Sequence, residues 1–457
     1  MEQIIKANDA ILGILNQPKA SDSCYRMLRY CLSTQVPEGT LLFNLLTREL
    51  LLLSPEEYAN VLHLPELRQR WFVVPEQTQD KKLVEMVRWI QRSMKKQPKR
   101  TTAYTIMTTT DCNARCFYCY ELGRSRIPMS EETALKVAAF IKENSKNKPV
   151  RLSWFGGEPL YNDKVIDLIC DSLRADGVEF VSTMISNGYL FDDERLKKAV
   201  ERWNLKQVQI SLDGTEQVYN RCKDYIYPQG SAYQVVLNNI SKLLDRRMVI
   251  FIRMNLDFHN TEDLLELAEE LAVRFGGNPR FIAYSHLIFD DSMAWDQRYS
   301  QEKWTQLYDA QSRLAQRLDE LGIGISRMWR LRRKLPDHQC MADNAHSVVI
   351  TPDGRLGKCE HYSESELIGH LDSPERNQQV IDSFRQRMDE IPACATCFYY
   401  PECVRLKKCP DQIPCIPAEQ IARKRQIEQA MHNEYQLWKT GQADGIEDAD
   451  EEIIDIH

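Results

Sequence analysis

Two rhythms of apolar and polar positions run along this chain. Between residues 103 and 287, short β-branched or apolar runs recur at 103–109 (AYTIMTT), 150–155 (VRLSWF), 180–186 (FVSTMIS), 207–212 (QVQISL), 249–256 (VIFIRMNL) and 280–287 (RFIAYSHL). Stretches of helical periodicity lie between them, near 130–144, 161–175, 191–202, 232–246 and 261–275, with another at 301–320. Strands alternating with amphipathic helices predict β-α units on a parallel sheet, hence an α/β fold. Six strands suggest a partial (β/α)6 form of the eight-stranded TIM barrel, which places chemistry on the loops leaving the C-terminal ends of strands.

The flanks break this rhythm. TLLFNLLTRELLLL (40–53) reads as a hairpin before a helix opened by Ser54 and Glu57 as a capping box, so residues 1–98 are expected to form a small α+β domain. The barrel is assigned to 99–325. From 326 to 425 the periodicity yields to loops rich in Cys, Pro and Gly, where metal rather than a large core would organise the chain. Residues 426–457 are read as a helix followed by an acidic, disordered tail, DGIEDADEEIID at 444–455.

A formal net charge of −7 gives no overall basic bias, so no nucleic acid and no membrane is expected as a partner. The start MEQIIKANDAILGIL lacks the order of a secretory signal, and no run of about eighteen apolar residues occurs. A soluble, cytoplasmic protein is therefore expected. In that compartment its 14 cysteines would favour metal or redox chemistry over disulfides. They cluster. Cys112, Cys116 and Cys119 form one group; Cys340, Cys359, Cys394, Cys397, Cys403, Cys409 and Cys415 form another. Cys24, Cys31, Cys170 and Cys222 stand apart and read as buried, inert thiols.

The first group lies in Asp111-Cys-Asn-Ala-Arg-Cys-Phe-Tyr-Cys-Tyr120, directly after the first barrel strand. Three thiolates in a Cys-X3-Cys-X2-Cys pattern can hold three irons of a cubane cluster and leave the fourth open. This pattern, with an aromatic residue before the last Cys, resembles the radical S-adenosylmethionine (radical SAM) superfamily. Motifs at the ends of the later strands strengthen the resemblance. Gly156-Gly157-Glu158-Pro159 comes after strand two, where the family binds the methionyl amino group. Asn187 ends strand three, and Ser211 with Asp213 ends strand four, where the family contacts the ribose and the methionyl carboxylate. The resemblance implies a cation after strand four, either Arg221 or Lys223, on that carboxylate. It also implies adenine contacts from Tyr118 and Leu256. For Leu256 a plain core role reads equally well.

The second group resembles the SPASM extension, which holds two auxiliary clusters in peptide- and protein-modifying members. The resemblance implies three [4Fe-4S] clusters in all: Cys394, Cys397, Cys403 and Cys415 would ligate one auxiliary cluster, and Cys340, Cys359 and Cys409 the other. Five residues separate Cys403 from Cys409 where the family has three, and a Cys that often precedes Cys340 is missing. Either Asp337 or His338 supplies the fourth ligand, or an open iron binds a substrate thiolate. Glu360 occupies a position where sulfatase-maturing relatives carry an Asp general base, and it reads either as that base or as a solvated side chain. The basic run Arg327–Lys334 reads as a solvated helical face or as a dock for an acidic leader.

The resemblance implies a maturase that modifies a ribosomally synthesised precursor peptide through a 5′-deoxyadenosyl radical, forming a thioether or carbon–carbon crosslink. The N-terminal domain would bind the leader, and a flavodoxin or ferredoxin would supply electrons. Two alternatives are an anaerobic sulfatase-maturing enzyme and a non-catalytic zinc or electron-relay protein.

Overall fold

The computed structural model describes residues 3–15, 24–94, 100–146, 148–226, 228, 230–288, 298–409 and 415–441. The acidic run at 444–455 lies outside them, as does the 98/99 boundary.

Six parallel strands stand side by side in chain order: β1 (Ala103–Thr109), β2 (Val150–Gly156), β3 (Phe180–Ser186), β4 (Leu205–Ser211), β5 (Val249–Leu256) and β6 (Phe281–Leu287). Helices α1 (Glu131–Ser145), α2 (Asp163–Ala175), α3 (Asp193–Glu201), α5 (Ala232–Asp245) and α6 (Thr261–Phe275) join them, with α4 (Glu216–Lys223) inserted after β4 and α7 (Gln301–Glu320) after β6. This is the partial barrel, and its strands fall within two residues of the periodicity. Alternation gives each strand two faces. Tyr104, Ile106, Leu152, Trp154, Val208 and Ile252 pack against the helices, while Met107 and Phe155 turn inward to a separate cluster with Val349 and Tyr362. Ser130, Asp192 and Ser231 cap α1, α3 and α5 by accepting from the third backbone N–H beyond.

The sheet does not stop at β1. A strand from the cysteine-rich region, β7 (Ser347–Ile350), pairs parallel to β1 with Ser347 opposite Ala103, and β8 (Arg355–Gly357) and β9 (Gly369–His370) follow antiparallel, making nine strands. Residues expected to be held by metal alone thus enter the barrel's own hydrogen-bond ladder.

The N-terminal residues form a four-stranded antiparallel sheet, and Gly39–Asn44 and Glu49–Leu53 are the expected hairpin. Ser54 and Glu57 make the reciprocal capping box. The sheet's inner face is nearly all Leu and Phe, and it shares one core with Leu331, Leu335, Tyr400 and the helix α8 (Pro417–Lys439), through Ile427, Met431 and Tyr435. The basic run is therefore not a solvated helical face. After one 3-10 turn (Ile325–Met328) it has no regular secondary structure: Leu331 is buried, Arg332, Arg333 and Lys334 are exposed, and the carbonyls of Leu331 and Arg332 accept from Lys6 and Arg48. Of the isolated cysteines Cys170 is buried, whereas Cys24 is exposed, contrary to expectation, because it precedes rather than joins a strand.

Candidate active site

Cys112, Cys116 and Cys119 sit on the loop that leaves β1, partly buried. Burial, and after it the Glu158 charge and then the neighbouring thiols, push the Cys112 thiol up to about 12. The loop has little local structure, and its neighbours hold it. Arg115 N donates to Lys223 O at 2.9 Å and Ile226 N donates to Asn113 O at 2.9 Å, so the end of α4 and the residues after it form its floor. Asp224, left-handed at φ 45°, ends α4 and turns the chain under the loop.

The Gly156-Gly157-Glu158 turn is knitted to the same loop. Gly157 N donates to Thr109 O and Glu158 N to Asp111 O, both at 3.0 Å. A Cβ on Gly156, at φ +130°, would lie 2.1 Å from Thr109 O, and one on Gly157 would lie 2.4 Å from Asp111 O. Only glycines permit this approach. Glu158 is fully buried and accepts from Leu160 N (3.1 Å), Asn187 N (2.8 Å) and Ser186 Oγ (2.9 Å). Burial outweighs these donors and raises its carboxyl to about 7. Asn187 Nδ2 in turn donates to Asn113 Oδ1 at 2.7 Å and lies 3.8 Å from Cys112 Sγ.

Across the mouth, Lys223 settles its place relative to Arg221. Arg221 is exposed, whereas Lys223 is buried. Its ammonium donates to Tyr118 OH (2.7 Å) and Ser211 Oγ (2.7 Å) and pairs with Asp213 Oδ2 at 2.9 Å. Those are all three donors an ammonium has. Burial, the largest single influence, acts to neutralise it, and Asp213 with Tyr118, Cys116 and Tyr219 together outweigh burial, holding the ammonium well above the usual lysine range. Tyr118 OH donates to Asp213 Oδ2 at 2.6 Å. Asn255, the penultimate residue of β5, donates to Asp213 Oδ1 at 2.7 Å and closes the network. Sequence reasoning missed Asn255, which a strict count of inward β5 positions would have found. Leu256 beside it is fully buried in the helix-side core. Pro159 is buried and opens a 3-10 turn whose Leu160 N–H is capped by Glu158.

The auxiliary cysteines gather into two groups. Cys340, Cys359 and Cys409 pack around Ala342, Phe384 and Leu406, and Cys340 and Cys409 each add to the burial that raises the Cys359 thiol. Cys394 and Cys403 likewise raise the Cys397 and Cys415 thiols, after burial. Asp337 is paired with His338 at 2.7 Å. Among the described residues no three His, Cys, Asp or Glu side chains converge on one point as a single-ion site requires. Sets of three and four thiols are soft donors of the kind that iron-sulfur clusters take.

The first loop and the Cys359 loop touch. Tyr120 stacks on His361 with centroids 4.0 Å apart, and Arg124 Nη2 donates to Tyr362 O at 2.9 Å. Glu360 is buried there rather than solvated, and its charge and that of Glu121 both bear on Tyr120. Both Glu121 carboxylate oxygens and the Tyr120 hydroxyl are buried with no hydrogen-bond partner among the described residues.

The family described as radical SAM superfamily matches residues 106–271. The GTP 3′,8-cyclase of Clostridium perfringens is 31% identical over 186 residues, 39% of this chain and 55% of that protein. A probable GTP 3′,8-cyclase of Methanocaldococcus jannaschii is 25% identical over 173 residues, 36% of this chain and 54% of its own. The chain thus spans about half the length of these curated relatives. Among solved structures, anSMEcpe with bound AdoMet aligns at a TM-score of 0.56 and 14% identity, over 74% of this chain and 99% of that one. Streptococcus suis SuiB bound to precursor peptide SuiA aligns at 0.51 and 11%, over 85% and 98%. Both similarities are of fold. Among the described residues no helix is long and apolar enough to cross a membrane. The loops that leave β1 to β4 lie in the stretch that matches the radical SAM superfamily, a family whose members use a [4Fe-4S] cluster and S-adenosylmethionine.

Proposed function

We propose that this protein is a maturase that modifies a ribosomally synthesised peptide, with three [4Fe-4S] clusters held by the cysteines named above. The contact of the Cys119 and Cys359 loops through Tyr120 and His361 carries the reading, because it sets a second thiol group beside the barrel mouth. Bound S-adenosylmethionine, reductively cleaved at the first cluster, supplies a 5′-deoxyadenosyl radical. The chain does the rest. Glu158 accepts from the methionyl ammonium. Lys223, with no donor to spare, positions Tyr118 and Ser211 rather than binding the carboxylate itself. Leu256 backs the adenine side, and Glu360, buried beside Tyr120, takes the substrate proton. The fourth ligand beside Cys340, Cys359 and Cys409 is Asp337, His338 or a substrate thiolate. The N-terminal sheet tethers the leader and so raises the local concentration of the segment to be modified. A flavodoxin or ferredoxin is the reductant.

Solved neighbours crystallised with AdoMet and with peptides support this reading. A sulfatase-maturing activity is the second reading, favoured by the burial of Glu360. Anaerobic reconstitution distinguishes the reading from a single-cluster enzyme: about twelve irons per chain are expected, and about four would overturn it. Cys116→Ala is expected to abolish 5′-deoxyadenosine formation and leave about eight irons. Incubation with the precursor peptide, followed by mass spectrometry, then separates a crosslink from a formylglycine.

A further inference from the structure

The cysteine loop 394–403 is held largely by the N-terminal sheet's companion helix, Asp80–Met94, and its neighbours. Arg88 on that helix donates through one nitrogen to the carbonyls of Tyr400 (2.9 Å), Pro401 (3.1 Å) and Cys403 (2.8 Å). Its guanidinium also lies over the Tyr400 ring at 5.3 Å. Lys81, two turns earlier on the same helix face, pairs with Glu390 and lies over the same ring at 5.5 Å. Arg29 donates to Ala395 O, and Arg48, buried, pairs with Glu402. Four cations from residues 24–94 thus grip a loop of thirteen residues, Glu390–Glu402, and the carbonyl of Cys403 just beyond it. A loop with only 3-10 turns of its own (Pro392–Ala395 and Tyr400–Glu402) needs such outside partners for its carbonyls.

We propose that Arg88 is a positioning residue for the Cys394, Cys397, Cys403 and Cys415 site, so that the N-terminal unit and that site form one coupled element. Arg88 fixes the carbonyls that orient Cys403, and with Arg29 it adds positive charge beside the loop, whereas Arg48 and Lys81 are balanced by Glu402 and Glu390. Hydrogen bonding and net charge are what set an iron-sulfur potential. Occupancy of the site then orders the helix Asp80–Met94, and the order of that helix favours occupancy, because coupling between two sites is reciprocal. Anything that binds the N-terminal unit would bias the same equilibrium. The inference rests on the three-cluster reading.

The experiment uses the full chain, reconstituted anaerobically with iron and sulfide, with three readouts: iron per chain, the midpoint potentials of the clusters, and hydrogen exchange of residues 80–94 before and after reconstitution. Wild type is expected to hold about twelve irons, and the amides of 80–94 are expected to exchange about tenfold more slowly once it is loaded. Arg88→Ala is expected to fall to about eight irons and to lose that slowing. Arg88→Lys, which keeps the charge but not the planar fork, is expected to hold iron with one cluster shifted to a more negative potential. Arg92→Ala, at an exposed position on the same helix, is expected to match wild type. About four irons in wild type would refute the three-cluster reading on which the coupling depends. Twelve irons in both wild type and Arg88→Ala, with unchanged potentials, would overturn the coupling alone. Should Arg88→Ala fail to fold, wild-type exchange decides: protection confined to 394–415 on loading overturns the proposal, and protection reaching 80–94 upholds it.

Discussion

Replacing Lys223 with Met tests the centre of the site. Lys223 is 2% exposed, and its ammonium is the counterion of Asp213, itself 1% exposed, at 2.9 Å. Met conserves most of the side-chain volume, so cavity formation is a minor cost. What remains is a buried carboxylate that keeps hydrogen bonds from Tyr118 and Asn255 but has lost its cation. Removing one partner of a buried pair costs about 3–5 kcal/mol, mostly because the other charge is left uncompensated. At about 2–4 °C per kcal/mol for a unit of this size, the barrel transition is expected to fall by roughly 6–20 °C. Anaerobic calorimetry measures it. The double variant Lys223→Met with Asp213→Asn removes the stranded charge, so it is expected to be more stable than Lys223→Met alone, a coupling of about 1–3 kcal/mol. A Lys223→Met transition within about 1 kcal/mol of wild type, or a double variant as unstable as the sum of the singles, would refute the claim that this ammonium balances Asp213.

Three further outcomes are expected. Asn255→Ala strips a buried donor from Asp213 and should cost about 1–3 kcal/mol by denaturant titration, with weaker S-adenosylmethionine binding by equilibrium dialysis. Gly156→Ala drives a Cβ against the Thr109 carbonyl at positive φ and should cost at least about 1–3 kcal/mol in the same titration while loosening the cysteine loop, read as faster loss of iron to a chelator. Glu158, raised to about 7 by burial, should make S-adenosylmethionine affinity climb as pH rises through about 7, because the ionised carboxylate is what accepts from an ammonium. The cofactor-free protein should change in the opposite sense: a folded-state value above the unfolded one contributes stability below about pH 4.5 that is lost as pH rises towards 7. Glu158→Gln should flatten both profiles.

The barrel was legible because each of its strands is apolar on one face at least and each helix carries a clear stripe; α4 was not, being eight residues whose buried members are Tyr219 and Lys223. The resemblance left Arg221 and Lys223 both open, and which of them is buried depends on the helix's rotation, which so short a periodicity does not fix. Glu158 was singled out by its motif, while its neighbours Ser186 and Asn187 bond to it across 28 and 29 positions of sequence that no local pattern encodes. Strand β7 escaped notice because four residues, SVVI, carry too little periodicity to stand out among cysteines and turns. The polar wall of Tyr120, Glu121 and Arg124 left no signal beyond an aromatic after Cys119.

That overlooked strand explains the architecture of the site. Because β7 pairs in parallel with β1, the chain that later carries Cys359 starts from the same edge of the sheet as the chain that carries Cys112 to Cys119. A ladder of backbone hydrogen bonds is a stiffer link than a loop, so the contact of Tyr120 with His361 is fixed by the sheet rather than by either set of thiols. The N-terminal sheet is tied in similarly, sharing a core with α8 rather than hanging on a linker. Removing residues 1–98 would strip Ile427, Met431 and Tyr435 of their cover and disturb the whole C-terminal half. The proposed role of the N-terminal unit in peptide binding is therefore better tested by substitution on its surface than by truncation. Loss of peptide affinity on truncation would report broken packing as readily as a lost binding face.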